Sequence, residues 1–323
     1  MRGSQRLEYR QLGATDIRVS RLCFGALTIS PLQRNLPVAA GAQVIMKAFD
    51  LGVNFIDTSQ FYRVYSPIGK ALQEYSKRDD VVVASKSYAY DAVGMAAALE
   101  EALRELHREW IDIFLLHEQE SVLTIRGHWD AVEYLIKAKE RGLVRAIGIS
   151  THRVEGVRAA ALVPEMDIIS PLINYAGIGI TDGTREDMVA AMEFATVCGK
   201  GIYAMKPFGG GHLMDSIDDA LAFLVGMESV SSIAVGMKSI PEVEMNVRLI
   251  NGEIIPTDLR KAASSIPRQL HIDEWCTGCG TCVAKCPSNA MAIENGRAIV
   301  DPSICVFCGY CGGHCPEFAI KVI

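Results

Sequence analysis

An excess of positive charge is missing from this sequence: 32 lysines and arginines stand against 38 aspartates and glutamates, a formal net charge of −6. Gripping a nucleic-acid backbone needs a basic footprint, so no nucleic-acid partner is expected. Also missing is any apolar run long enough to span a bilayer, so no membrane span is expected. The opening residues Met1–Arg6 carry charge with no apolar core behind it, which is not the pattern of a signal peptide. The expected location is therefore the cytoplasm, where thiols stay reduced. Polar low-complexity tracts are lacking too: half of the 323 residues are hydrophobic and 22% charged, too apolar for disorder. That length holds one large domain and a small one.

What the chain does have in number is cysteine. In a reducing compartment, ten cysteines point to metal or redox chemistry rather than disulfides. Eight of them form two runs of one pattern: Cys276, Cys279, Cys282, Cys286-Pro287, then Cys305, Cys308, Cys311, Cys315-Pro316. Three thiolates on such a tight turn grip three corners of one iron–sulfur cubane, while the fourth, opening a helix, points toward the other cubane. Gly278, Gly280, Gly309, Gly312 and Gly313 let the backbone wrap closely and aim amide hydrogens at sulfur. Zinc is the competing reading, but zinc sites use separated cysteine pairs, not four per run ending in Cys-Pro. The duplicated runs resemble the bacterial two-cluster ferredoxins. That resemblance implies two 4Fe-4S clusters, one on Cys276, Cys279, Cys282 and Cys315, the other on Cys305, Cys308, Cys311 and Cys286. Cys23 and Cys198 fit no pattern; each sits in an apolar stretch and is expected to be a buried small hydrophobe.

Upstream, short β-branched runs alternate with longer segments of helical period. The strand candidates are Leu22–Gly25, Asn54–Asp57, Val81–Ser85, Ile111–Leu116, Ala146–Ile149, Ile168–Ser170, Ile202–Met205 and Ile233–Val235. Nearly all lack polar alternation, as expected of parallel strands buried on both faces. Helices are expected between them, for example over Gly94–His107 and Trp129–Arg141. Eight such units predict a (β/α)8 barrel of the TIM type, followed by a small α+β ferredoxin-like domain. An open doubly wound sheet competes, but no Gly-x-Gly-x-x-Gly follows an early strand. Leu7–Val19 reads as a hairpin with Gly13–Asp16 at its turn. The expected layout is a barrel over 1–250, a connector over 251–270 with a short helix at Leu259–Ser264, and the cysteine domain over 271–323.

Active sites of such barrels form at the C-terminal strand ends. There the sequence puts Asp57, Lys86 and His117 at the ends of three successive strands, with Tyr62 in the loop after Asp57. This set suits carbonyl reduction, in which hydride attack builds negative charge on oxygen and calls for a proton donor. A phenol, with a pKa of about 10, is a poor donor at neutral pH, and a neighbouring cation moves that value down. Lys86 is expected to supply the cation, Asp57 to hold it, and His117 to orient the carbonyl.

The segments Gly52–Thr58, Tyr62, Gly69–Leu72, Ala84–Lys86 and Asp112–His117 are similar to those of the aldo-keto reductase superfamily, and the first 250 or so residues resemble it. That resemblance implies a catalytic tetrad of Asp57, Tyr62, Lys86 and His117. It also implies NADP or NAD as cofactor, which this family binds without a Rossmann fold. Carried onto this chain, the cofactor contacts fall on Gly25, on Ser150 and Thr151, on Asn174, on Met205 and Lys206, and on Gly236, Lys238 and Asn246. Met205 stands where an aromatic often stacks on the nicotinamide. Glu242 stands where relatives that bind NADP often carry arginine, which leaves the choice between NAD and NADP open.

Ferredoxin-fused members of the superfamily look similar over the whole length. Nicotinamide moves electrons in pairs as hydride, whereas a cluster passes one at a time. A flavin is compatible with the sequence but no fingerprint indicates it. Three readings follow. In the first, the barrel is a working reductase or alcohol dehydrogenase acting on a small carbonyl or alcohol, and the clusters regulate it or serve an external one-electron partner protein. In the second, the chain is an electron-transfer module with the barrel as docking scaffold. In the third, the clusters only tie a small domain together. The complete tetrad favours the first over the second.

Overall fold

The computed structural model describes residues 7–323 apart from 266, 306, 308 and 309, so Met1–Arg6 and the expected ligand Cys308 with its neighbour Gly309 lie outside the described residues. The expected hairpin is present: β1 (Tyr9–Gln11) pairs antiparallel with β2 (Arg18–Ser20). Eight parallel strands follow, β3 (Leu22–Gly25), β4 (Phe55–Asp57), β5 (Val82–Ser87), β6 (Ile111–Leu116), β7 (Val144–Thr151), β8 (Ile168–Pro171), β9 (Gly201–Met205) and β10 (Ser232–Gly236). They close in chain order into a barrel, β10 pairing back onto β3 from Ile233↔Leu22 to Gly236↔Gly25. Each expected strand overlaps one of these.

Both faces of the strands are apolar, which is why the runs lack polar alternation. Cys23, Phe55, Val82, Ala84, Ile113 and Leu115 fill the interior. Leu22, Phe24, Ile56, Val83, Phe114 and Leu116 face the surrounding helices. Those helices are α1 (Val38–Asp50), α2 (Tyr65–Glu74), α3 (Ala92–Glu105), α4 (Val122–Gly127), α5 (Trp129–Glu140), α6 (Val154–Ala161), α7 (Arg185–Val197), α8 (Ile217–Val225) and α9 (Ile240–Ile250). Helix α3 begins two residues before Gly94 because the Asp91 carboxylate accepts the Gly94 amide at 2.7 Å, an N-cap invisible to hydrophobic period. It buries Met95, Ala98, Leu99 and Ala102; a fully buried leucine is worth about 1.5–3 kcal/mol.

The hairpin stoppers the N-terminal end of the barrel with Leu12, Ile17 and Val19, all at most 1% exposed. Its turn requires glycine: Gly13 has φ +55, and a Cβ there would lie 2.3 Å from the Gly201 nitrogen.

The 251–270 segment is not a free connector. Its helix, α10 (Thr257–Ala263), lies against α9, and long-range ion pairs fasten the segment to the barrel. Arg260 makes a bidentate pair with Asp218 at 2.9 and 3.0 Å, and Arg268 reaches Asp215 at 2.8 Å. Beyond it, β11 (Leu270–Ile272) pairs antiparallel with β14 (Ile320–Val322), and β12 (Met291–Glu294) with β13 (Arg297–Val300). Short helices α11 (Thr281–Ala284) and α12 (Tyr310–Gly313) lie between. This small domain sits over the C-terminal mouth of the barrel. Trp275 packs toward Phe61 with ring centroids 6.4 Å apart, and the Ile320 carbonyl lies 3.0 Å from His212 Nε2. Phe318, 2% exposed, reaches the rings and chains of His152 and Lys206. Cys23 is buried in the barrel interior, but Cys198, expected to be buried, is exposed at the end of α7, where a helix C-cap rather than an apolar strand carries it.

Candidate active site and cluster pocket

Asp57 closes β4, Lys86 lies in β5, and His117 follows β6 directly. Tyr62 ends a 3-10 turn over Gln60–Tyr62 that Ser59 caps. The four come together at the mouth. Lys86 Nζ donates to Asp57 Oδ1 at 2.6 Å and to the Thr58 carbonyl at 2.8 Å, and stands 5.4 Å from the centre of the Tyr62 ring. The Tyr62 and His117 rings meet edge to face at 5.7 Å.

Three residues outside the expected tetrad complete the set. Tyr203, inside the barrel on β9, donates to Asp57 Oδ1 at 2.8 Å, so this carboxylate is held from two sides. Tyr88 stacks on His117 at 4.3 Å and donates to Glu118 at 2.8 Å. Ser59 Oγ lies 3.0 Å from His117 Nδ1 and 3.2 Å from the Lys86 carbonyl. Its single proton therefore decides the imidazole tautomer: given to Nδ1, it leaves the ring proton on Nε2, free to donate to a carbonyl oxygen. Ser59 was signalled only by its place between Asp57 and Tyr62.

The electrostatics correct one expectation. The Tyr62 phenol is not drawn down by Lys86. Burial, followed by Asp57, Glu118 and Tyr88, pushes it well above the ordinary tyrosine value. Burial is the largest cause, and Asp57, which holds the Lys86 ammonium at 2.6 Å, adds to it. Burial, then Lys86 and Lys206, hold His117 well below the usual histidine range, so its ring is neutral. The site thus keeps a protonated phenol and a neutral imidazole together.

A cavity of about 430 Å³ runs from Asp57 and Tyr62 past Gly25, Met205, Lys206 and Gly236 to Lys238, Glu242 and Asn246. Those expected contacts share one cleft. Ser150, Thr151 and Asn174 are buried but do not line it; their polar atoms are engaged locally. Ser150 Oγ accepts the Glu118 amide at 3.0 Å, Thr151 Oγ1 accepts the Arg153 amide at 3.0 Å, and the Asn174 side chain brackets Ile178 at 2.9 and 3.0 Å. At the far end, Glu242 accepts the Lys238 amide at 2.7 Å, and its carboxyl is pushed up chiefly by burial. Asn246 donates to the Glu242 carbonyl at 2.8 Å, while its Oδ1 is buried with no partner among the described residues. An acceptor of that kind fits the amino group of an adenine. Lys206 has φ +60 and bonds His152 Nε2 at 2.9 Å; burial, then Lys321, lowers its pKa to about 7.

In the small domain, Cys276, Cys279, Cys282 and Cys315 line one small cavity, the grouping implied for the first cluster. Burial and the neighbouring Cys276, Cys315 and Cys279 push the Cys282 thiol up, the mark of thiolates gathered where a cation belongs. Backbone amides of Ala298 and Ala319 point at Cys276 and Cys315 sulfur at 3.4 and 3.3 Å. Ala290 does the same for Cys286 of the second set at 3.2 Å. The residues present fit a cubane. Among the described residues no His, Cys, Asp or Glu group is set for a single metal ion, and a cubane spreads its ligands wider than one ion does.

An eight-stranded parallel barrel with this mouth defines a class of oxidoreductase scaffold, and comparison supplies its family. The Aldo/keto reductase family model matches residues 21–220, and a 4Fe-4S dicluster domain model matches 269–316. The chain belongs to the aldo/keto reductase family, and carries a 4Fe-4S dicluster domain. It is 24% identical to an L-galactose dehydrogenase of Arabidopsis thaliana over 76% of this chain and 88% of that one. It is 26% identical to the aldo-keto reductase YhdN of Bacillus subtilis, over 52% of this chain and 54% of that one. Among solved structures, a putative aldo-keto reductase from Pseudomonas aeruginosa superimposes with a TM-score of 0.65 at 24% identity, covering 76% of this chain and 94% of that one. The chain is an oxidoreductase of this family.

Proposed function

We propose that this protein reduces a small carbonyl compound, or runs the reverse alcohol oxidation, with NADPH or NADH lying along the cleft from Asn246 to Tyr62. The observation that carries the reading is the Lys86–Asp57 pair at 2.6 Å beside the Tyr62 ring, at the closed end of that cleft. The nicotinamide cofactor supplies hydride. Tyr62, kept protonated, donates its proton to the oxygen that gains charge, and the Lys86 ammonium stabilises the phenolate left behind. His117, kept neutral, orients the carbonyl, donating from Nε2 when Ser59 turns its proton from the Lys86 carbonyl to Nδ1. With the dinucleotide bound, Asn246 Oδ1 would receive the adenine amine and Lys206 would meet the pyrophosphate.

The clusters serve single-electron exchange with a redox partner in this reading. Its support is positional: Trp275, next to ligand Cys276, packs against Phe61, next to Tyr62, so the set on Cys276, Cys279, Cys282 and Cys315 is the one turned toward the reductase site.

Tyr62→Phe tests the proposal. No hydrogen bond of the phenol is found among the described residues, so folding and NADPH binding should persist. Turnover should fall by about 10²–10⁴-fold, the usual worth of a positioned acid. Unchanged turnover removes Tyr62 from the chemistry.

A further inference from the structure

The cleft has two walls, and only one belongs to the barrel. The other is made of Arg260 and Arg268 from the 251–270 segment and of Lys321, Val322 and Ile323 from the small domain. Between the cleft and that domain runs the loop from Lys206 to His212, with Lys206, Gly209, Gly210 and Gly211 all at positive φ. The small domain shapes this loop. A Cβ on Gly211 would lie 1.8 Å from the Val322 carbonyl oxygen, and one on Gly210 would lie 3.0 Å from the Phe318 ring. The Phe318 ring also lies 4.5 Å from Lys206 Nζ, the cleft cation for which no carboxylate partner is found among the described residues.

Both cluster-ligand segments bear on the same loop. Phe318 donates its amide to the Cys315 carbonyl at 3.1 Å. Gly312, next to Cys311, leaves no space for a Cβ, which would fall 1.7 Å from His212 Nε2. So small a domain does not bury enough core to hold shape without its metal. Its packing against the loop therefore depends on the clusters.

Resting on the dinucleotide reading above, we propose that the iron–sulfur domain is a structural half of the dinucleotide site: it clamps the Lys206–His212 loop over the pyrophosphate, so that cofactor affinity and cluster retention are thermodynamically coupled. Linkage makes this reciprocal. A ligand that binds across the seam holds the domain down, and whatever loosens the domain weakens the ligand.

Two measurements on the intact, cluster-loaded chain test it. First, iron release to a chelator is followed anaerobically with and without saturating NADPH; release should slow by at least about fivefold, the lower range of an ordinary coupling. Second, NADPH is titrated by fluorescence into wild type and into Phe318→Leu, which keeps most of the volume and loses the ring over Lys206. The Kd should rise by about tenfold in the variant while cluster absorbance is retained. Should Phe318→Leu fail to keep its clusters, Gly211→Ala, which wedges the loop off Val322, carries the same comparison. NADPH binding with unaltered iron release, or equal Kd in wild type and variant, overturns the coupling and leaves the reductase reading standing. A wild-type protein that binds neither NADPH nor NADH overturns both.

Discussion

Lys86→Met offers a quantitative test of the site. Lys86 is 1% exposed and Asp57 7%, with their charged atoms 2.6 Å apart. At an effective dielectric near 20, opposite charges about 4 Å apart already attract by about 4 kcal/mol, and this pair is closer. Much of that gain offsets desolvation. Removal of one partner does not recover the offset, because it strands the other: Asp57 would keep only the Tyr203 hydroxyl at 2.8 Å among its described partners. The expected loss of stability is about 3–5 kcal/mol. Asp57→Asn combined with Lys86→Met removes both charges, and the new amide can still accept from Tyr203, so at least about 2 kcal/mol should return. Turnover should not return, since the ammonium beside Tyr62 is gone in both variants. Anaerobic urea unfolding of the cluster-loaded protein, with single-turnover assays alongside, measures both quantities. A single variant within 1 kcal/mol of wild type, or a double variant no better than the single, would refute the buried-pair argument.

Two further outcomes follow from the same geometry. Ser59→Ala frees the His117 tautomer, so kcat should fall by about tenfold or more with cofactor Kd unchanged; a shift in Kd alone would place Ser59 in binding instead. With its pKa lowered to about 7, Lys206 is charged below that pH and neutral above it, amid Lys321, Glu118, Asp273, Lys86 and His152. NADH affinity should therefore decline as pH rises through about 7 in wild type and stay flat in Lys206→Met, as read by fluorescence titration.

The barrel was legible because runs such as Ala146–Ile149 are apolar on both faces and are followed by polar residues, a pattern that needs no tertiary knowledge. Asp57, Lys86 and His117 were legible because they sit at strand ends, and Tyr62 because the family resemblance covers the loop after Asp57. What escaped depends on pairs far apart in the chain. Pro256, Ser264, Ser265 and Pro267 read as linker, whereas the packing of α10 on α9 and the Arg260–Asp218 and Arg268–Asp215 bonds make that stretch a wall of the cleft. The direction of the Tyr62 shift escaped because its largest cause is burial under distant parts of the chain, with Asp57 next. The role of Phe318 escaped because nothing local says what a buried aromatic after a ferredoxin-like run will touch.

With Leu12, Ile17 and Val19 corking one end of the cylinder, the described cleft lies at the other, beneath the lobe that carries the cluster cysteines. Cofactor and substrate bound as proposed would pass beneath it. On the proposed coupling, loss of the clusters would leave that lobe unlatched while the catalytic residues behind it remain intact.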